Sequence, residues 1–111
     1  MKTFKISEEY SKTPGPRYEN EGKFSGENFR KDILTGLYLE AIKNNEKVCI
    51  DLDGGYGYSP SFLEEAFGGL AREYDAQSVK KTFAFISNDE PSLIKEIIEY
   101  IERSNSNNKE K

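Results

Sequence analysis

Three segments of the chain carry patterns of apolar residues that are typical of β-strands. Residues 3–7 alternate polar and apolar side chains, and residues 47–53 do the same. Residues 82–86 are almost all apolar, which predicts a central strand with both faces covered. Residues 17–24 follow a Pro-Gly-Pro turn and predict a short strand that returns beside the first one as a hairpin. The apolar face of the second segment consists of Val48, Ile50 and Leu52.

Apolar stripes at helical spacing predict three helices. The first begins after Ser25 as its N-cap and ends near residues 44–45, the second begins at Ser59-Pro60, and the third begins after residue 88 or 89. Gly36 falls inside the first helix, and a close approach to the sheet would explain a glycine there. The three stripes are Phe29, Ile33, Leu34, Leu37, Tyr38, Ala41 and Ile42; Phe62, Leu63, Ala66, Phe67 and Leu70; and Leu93, Ile94, Ile97, Ile98 and Ile101.

The predicted order of elements is β-β-α-β-α-β-α. Alternation of strands and helices implies right-handed crossovers and a mainly parallel sheet, to which the first hairpin adds an antiparallel pair. We therefore expect an α/β fold with a mixed sheet of four strands in one domain, residues 1–103. Residues 104–111 are polar throughout and predict a disordered tail.

Composition narrows the class of protein. The chain of 111 residues has a net charge of −4 and no apolar run long enough for a membrane span, which argues against binding to nucleic acid or membranes. Its single cysteine, Cys49, cannot form an internal disulfide, so we expect a soluble protein of the cytoplasm. The chain has no histidine and thus lacks the commonest general base and metal ligand. Carboxylate and lysine chemistry stay open, but we expect no enzyme, no metal and no cofactor.

The turn from Gly54 to Ser61 is the main candidate site. In open α/β sheets, sites form beyond the carboxyl ends of strands, and this turn follows the clearest predicted strand. Its glycines permit unusual backbone shapes, and its tyrosines Tyr56 and Tyr58 are typical of protein-binding surfaces. Two other interpretations are a tight turn with a purely structural role, and a small-ligand or nucleotide site at the helix N-terminus.

Two further kinds of chemistry arise near this turn. Ser59 and Ser61 lie at the helix start, where the helix dipole would favour a phosphate, although Ser59 also suits plain capping. Asp51, Asp53 and the pair Glu64-Glu65 would form a metal site or an acid pair only if they converged, and the last two also simply complement the dipole. Arg17 and Arg30 are possible ion-pair partners for these acids.

Several motifs resemble a bacterial family of STAS-like proteins of unknown function, over roughly residues 14–103. More distantly, the strand, loop and helix are similar to those of STAS domains such as anti-anti-sigma factors. The motifs are Arg17, the segment EGKFSGENFR from Glu21, the segment VCIDLDG from Val48, Gly57-Tyr58, and the segment SFLEEAFGGL from Ser61.

The resemblance implies a mixed sheet with helices packed mainly on one face and no catalysis by the domain itself. In anti-anti-sigma factors, a histidine-kinase-like ATPase phosphorylates the serine at that helix start, and the phosphate blocks partner binding. Here the Asp-Ser-Ser-Gly element is replaced by residues 58–62, so the phosphoacceptor position falls on Ser59, Pro60 or Ser61. From this resemblance we also expect the chain to lack the last strand and helix of a full STAS domain.

We therefore predict a non-catalytic regulatory module that docks a protein partner through the strand-loop-helix surface around residues 54–67, with serine phosphorylation as its switch. The expected partner is a histidine-kinase-like ATPase. The alternative is a sensor of a small ligand or nucleotide at the turn and helix N-terminus. The predicted surface consists of Asp53, Gly54, Tyr56, Gly57, Tyr58, Ser61, Phe62, Glu64 and Glu65, and the candidate phosphoacceptors are Ser61 and Ser59.

Overall fold

A computed structural model describes the backbone of residues 1–109 and the side chains of residues 1–104. Its sheet has three strands in the order β1-β2-β3, and both pairs are parallel. The strands are β1 (Lys2–Lys5), β2 (Val48–Asp51) and β3 (Phe83–Ile86). In the register, Phe4 lies opposite Ile50, and Ile50 opposite Phe85, so the apolar positions of the three strands line up across one face.

The predicted hairpin is wrong. After β1 the chain turns at once into a one-turn helix, α1 (Ile6–Glu9), and β1 lies parallel to β2 instead of pairing with residues 17–24. Those residues form an irregular loop with a 3₁₀ turn at Glu19–Glu21. The amide of Gly15 donates to the carbonyl of Phe24 (2.8 Å), which closes the loop on itself. Local hydrogen bonds thus satisfy backbone groups that a strand would have paired with a neighbour.

Four longer helices follow, and the three predicted ones are among them. The fourth, α4, was not predicted, because its seven residues are too few to show a clear stripe. The helices are α2 (Gly26–Phe29, a π-helical turn Arg30–Leu34, then Thr35–Asn44), α3 (Pro60–Leu63, a π-helical turn Glu64–Gly68, then Gly69–Glu73), α4 (Ala76–Thr82) and α5 (Ser92–Lys109).

Two of the predicted caps, Ser25 and Ser59, are confirmed, whereas α5 begins only at Ser92, so that Asn88 and Asp89 do not cap it as predicted. The hydroxyl of Ser25 accepts the amide of Asn28 at 3.0 Å, and that of Ser59 accepts the amide of Phe62 at 3.1 Å. Each bond satisfies one of the amides that a helix start leaves without a partner. These two serines therefore fix where α2 and α3 begin.

The apolar face of the sheet and the helices share one core, in which Ile50 is fully buried. The opposite face carries Thr3, Cys49 and Ile86 among others; Cys49 is a buried free thiol, and Ile86 is 36% exposed. The expectation that residues 82–86 form a central strand is therefore wrong, since β3 is an edge strand. An apolar run alone does not show whether a second face is covered.

Helix α5 continues past residue 103, the predicted end of the domain, to Lys109. Ser104 is only 1% exposed, and its hydroxyl donates to the carbonyl of Gly68 at 2.8 Å. The predicted tail thus begins inside a packed helix, and residues 110–111 lie outside the described part. Among the described residues, we find no helix with the length and apolar character that a membrane crossing requires.

Gly36 does not approach the sheet, contrary to expectation. A Cβ atom built on Gly36 meets nothing within 4 Å. Because a mid-helix glycine costs conformational entropy, we expect Gly36→Ala to raise the free energy of unfolding by about 0.5–1 kcal/mol in urea titrations.

The matched control is Gly26→Ala, at the start of the same helix. There a Cβ atom would lie 2.5 Å from the carbonyl oxygen of Phe62, so we expect a loss of about 1–3 kcal/mol. If both substitutions stabilised the protein, or both destabilised it, the conclusion that α2 packs closely at Gly26 and is open at Gly36 would be contradicted.

Candidate functional site

The loops after β2 and β3 are clasped together by two aspartates. The carboxylate of Asp53 accepts the backbone amides of Asn88 and Asp89, each at 2.8 Å, and the side-chain amide of Asn88 at 3.1 Å. In return, the carboxylate of Asp89 accepts the amide of Gly54 at 2.9 Å. Asp53 therefore ties the start of the candidate turn to the neighbouring strand rather than facing a partner.

Hydrogen bonding to Asp53 favours its charged form. The hydrogen bond from the backbone amide of Asp89 has the largest effect and, together with the bonds from Asn88, holds the pKa of the Asp53 carboxyl below its usual value, although desolvation acts in the opposite direction. The folded state thus binds its proton less readily than the unfolded chain. Stability from this clasp is present above the unfolded pKa, near pH 4, and is lost as the pH falls through the folded pKa.

We therefore expect Asp53→Asn to make the free energy of unfolding depend less on pH in the acid range. The variant should be less stable than the wild type at neutral pH, and the difference should shrink as the pH falls below about 4. Urea unfolding at neutral pH and at about pH 3 measures this difference. Glu46→Gln, at an exposed carboxylate, is the control and should keep the wild-type profile. Parallel profiles for the wild type and Asp53→Asn would contradict a role for this clasp.

The two tyrosines of the turn have different surroundings. The hydroxyl of Tyr58 donates to the carbonyl of Leu52 at 3.0 Å, and its ring packs on Phe62. Burial raises the pKa of Tyr58, helped by the charges of Asp51 and Asp53. Tyr58 thus supports the turn from within.

Tyr56, in contrast, is 82% exposed. Its backbone amide donates to the carbonyl of Lys12 at 2.9 Å, which fixes the turn against the segment after α1. Gly54 and Gly57 have φ values of +92° and +118°, which only glycine adopts without strain. The turn therefore displays one aromatic ring on a backbone that is held at several points.

The start of α3 separates the predicted residues into exposed and buried ones. Ser59 is engaged as the N-cap, and Ser61 is exposed at the second position of the helix. Phe62 has no exposed surface and stacks on Phe29 with ring centroids 5.7 Å apart. The prediction that Phe62 lies on a docking surface is wrong, because this side of the helix faces the core.

Glu64 and Glu65 are not free on the surface either. Glu65 is 7% exposed, and its carboxylate accepts Arg30 at 2.8 Å, while Glu64 pairs with both Arg17 and Arg72. These acids form an intramolecular ion-pair network, and the predicted pairing of Arg17 and Arg30 with them is confirmed.

The network joins two helices at their π-helical turns. Arg30 begins that turn of α2, and Glu64 and Glu65 begin the one of α3. Burial alone would raise the pKa of Glu64, but hydrogen bonds from Arg72 and Arg17 outweigh it and hold this pKa below its usual value. A Cβ atom on Gly69 would lie 2.7 Å from Nε of Arg30, so the glycine leaves room for the guanidinium.

The four acids considered for catalysis or metal binding do not converge. Asp53 bonds to the loop after β3, whereas Glu64 and Glu65 bond to arginines, and Asp51 accepts the amide of Asp53 at 3.0 Å. In the part of the chain that the structure describes, no three or more Cys, Asp or Glu side chains are grouped to hold a metal ion. The geometry offers neither an acid pair nor a metal centre at this place.

A cavity of about 200 Å³ lies at the carboxyl ends of β2 and β3. Its walls include Tyr56, Tyr58, Asp89 and Glu90. Cavities that bind drug-sized molecules range from about 300 to 1,000 Å³, so this one would admit only a small ligand. The two acids in its wall would repel an anion such as a phosphate.

Sequence reasoning missed the residues that hold the turn, namely Lys12, Asn88 and Asp89. For the last two, a signal was present: they follow β3, and parallel neighbours bring their carboxyl ends together. For Lys12 there was none, since its contact with the turn runs through the backbone carbonyl.

Comparison with known proteins agrees with the resemblance of the motifs. The model of the family described as a STAS-like domain of unknown function (DUF4325) matches residues 25–93, more than half of the chain. Neither the curated proteins nor the solved structures gave a significant match. The matched segment contains β2, β3 and the turn between β2 and α3. The chain belongs to this family of STAS-like domains of unknown function.

Proposed function

We propose that the protein is a non-catalytic regulatory module that binds a protein partner through the turn between β2 and α3, with Tyr56 as the anchor. The observation that carries this proposal is the 82% exposure of Tyr56 on a turn whose backbone is held in place. Aromatic side chains dominate the energy of many protein interfaces, and a surface that is already ordered loses less entropy on binding.

The structure narrows the surface that we propose. Gly54, Tyr56, Gly57 and Ser61 are exposed and can touch a partner. Asp53 and Tyr58 instead hold the turn through hydrogen bonds. Phe62, Glu64 and Glu65 hold α3 against the rest of the chain through packing and ion pairs. The resemblance to anti-anti-sigma factors makes a histidine-kinase-like ATPase the proposed partner.

Tyr56→Ala tests the anchor, with Tyr74→Ala as a matched control. Tyr74 is also exposed (42%) but packs on Tyr38, which stacks on the first residue of β3 and thus lies at the other end of the sheet. We expect a histidine-kinase-like ATPase of the same organism to bind wild type and Tyr74→Ala equally in calorimetry. Tyr56→Ala should bind more weakly by about 2 kcal/mol, some thirtyfold.

Equal binding of both variants would contradict the proposed surface. Absence of binding by the wild type to every such ATPase of the organism would contradict the proposed class of partner. Far-ultraviolet circular dichroism of both variants distinguishes loss of contact from loss of fold.

We further propose that Ser61, rather than Ser59, is the residue through which phosphorylation acts. Both serines are exposed, but the hydroxyl of Ser59 is already bonded to the amide of Phe62. A phosphate on Ser61 would lie in the first turn of α3, where the dipole favours it, and close to Tyr56 in sequence. Intact-mass spectrometry after incubation with the ATPase partner and ATP should show one added phosphate, which Ser61→Ala abolishes. Retention of the phosphate in Ser61→Ala would contradict this assignment.

The small-ligand alternative has one observation in its favour, the cavity beside Tyr56 at the edge where open α/β sheets bind ligands. A small neutral or cationic compound would suit its acidic wall. A thermal-shift screen tests it, since a ligand at 100 times its dissociation constant adds about 2.7 kcal/mol of stability.

A further inference from the structure

The outer side of helix α2 carries a line of four exposed residues: Asp32, Gly36, Leu39 and Lys43. Their spacing of four, three and four residues places them along one side of a helix. The buried residues of this helix, such as Leu34 and Tyr38, point the opposite way into the core. We call these four residues the α2 line.

Two members of the α2 line are unexpected on a surface that meets only water. Gly36 lowers helix stability, and no atom of the described chain lies where its Cβ would be. Leu39 is 47% exposed, and Ile42, which follows it by three positions, is 49% exposed. The exposed side of the helix thus has a gap at Gly36 and, next to it, a projecting apolar side chain, Leu39.

The α2 line is complementary to the α2 line of a second copy that runs antiparallel to it. If two copies of α2 lie antiparallel and are centred between residues 36 and 39, Leu39 of each copy faces Gly36 of the other. The same alignment places the carboxylate of Asp32 opposite the ammonium of Lys43 of the second copy, twice by symmetry. Such mutual pairing of one patch is the rule for a twofold interface.

From this complementarity we propose that the protein associates with a second copy of itself through the α2 line, with the helices antiparallel. Lys43 has no ion-pair partner among the described residues, and Asp32 accepts only the side-chain amide of Asn28, at 2.7 Å. The charges of the α2 line are thus available to a second copy. Exposed charge pairs add little affinity but fix orientation and register.

The interface is small. Lys43 follows Asp32 by eleven positions, which corresponds to at most about 16 Å along the helix. Stable dimers bury about 800 Å² on each partner, which such a short seam does not reach, so the association is weak and reversible. It leaves Tyr56 free, since the turn after β2 is not part of this face.

Sedimentation equilibrium of the full chain from about 10 µM to about 1 mM tests the proposal in the range of weak complexes. We expect the average mass of the wild type to rise from 12.7 kDa toward twice that value as concentration increases. Asp32→Lys alone and Lys43→Asp alone should stay monomeric, since each brings like charges together at both pairs. An equimolar mixture of these two variants should associate again, because opposite charges then meet at both pairs.

Gly36→Gln provides a variant whose loss of association is not a loss of fold. Glutamine is a better helix former than glycine, so the melting temperature should not fall, whereas its side chain fills the gap for Leu39. A monomeric wild type over the whole range overturns the proposal. So does undiminished association of Gly36→Gln, or a mixture of the two charge variants that stays monomeric while the wild type associates.

Discussion

Replacement of Phe29 by alanine is expected to lower the free energy of unfolding by about 3–5 kcal/mol, the largest effect of any single change considered for this protein. Phe29 has no exposed surface and lies at the centre of four other aromatic rings. The ring centroids of Tyr10, Phe62, Phe4 and Phe67 lie 5.0, 5.7, 6.1 and 6.3 Å away. A cavity there would loosen β1, α2 and α3 together.

Urea unfolding measures this effect, with two controls. Phe29→Leu keeps most of the apolar volume and should cost clearly less than Phe29→Ala. Tyr18→Ala removes an aromatic ring that is 47% exposed and should change stability by about 0.5 kcal/mol or less. A loss below about 1 kcal/mol for Phe29→Ala would contradict its central place in the core.

Glu65→Gln is expected to cost about 3 kcal/mol, the second largest effect. The side chains of Glu65 and Arg30 are only 9% and 14% exposed, and their charged groups lie 2.8 Å apart. Arg17 also approaches the same carboxylate, at 3.5 Å. Removing the negative charge leaves the guanidinium of Arg30 largely buried beside a neutral amide, with only Glu73 at its outer side.

The matched control is Glu102→Gln. Glu102 pairs with Lys80 at 2.6 Å, yet their side chains are 52% and 41% exposed. Water and salt screen such a pair, so its loss should cost about 0.5 kcal/mol or less. Equal losses for the two variants would show that burial of the Arg30 network contributes nothing beyond an ordinary surface pair.

Local chemistry predicts three of the four longer helices and the second strand. Ser25 and Ser59 were recognised as caps because a hydroxyl at that position satisfies a helix amide wherever the helix packs. The face formed by Val48, Ile50 and Leu52 was recognised because alternation reports burial on one side of a strand.

The partner of β1 was not predictable in the same way. Residues 3–7 alternate as a strand should, but the alternation does not say which strand pairs with them. Proximity along the chain favours residues 17–24 as the partner, whereas the structure pairs Phe4 with Ile50 across the first half of the chain. Backbone groups of residues 17–24 bond within the loop, to Gly15 and to Glu27 of α2 instead of to a neighbouring strand.

In the candidate site, the sequence predicts the right turn but places too many residues on its exposed surface. Position near the turn does not distinguish exposed Ser61 from four residues that are held by other parts of the chain. These four are Asp53, Phe62, Glu64 and Glu65. The partners that hold them lie as far away as Arg17 and Asp89. Contacts over such separations depend on the completed fold, which no local pattern contains.

The parallel sheet also has a consequence for how the protein is made. Paired residues of β1 and β2 lie 46 positions apart along the chain, and those of β2 and β3 lie 35 apart. The hydrogen bonds that join the ends of these strands, Ser7 to Asp53 and Asn88 to Asp53, span the same two separations. During translation at about 5–20 residues per second, β1 waits roughly 2–10 s before β2 exists. For that time a nascent strand is open to mispairing, and the lysines Lys2 and Lys5 on it are the residues that discourage other strands from joining.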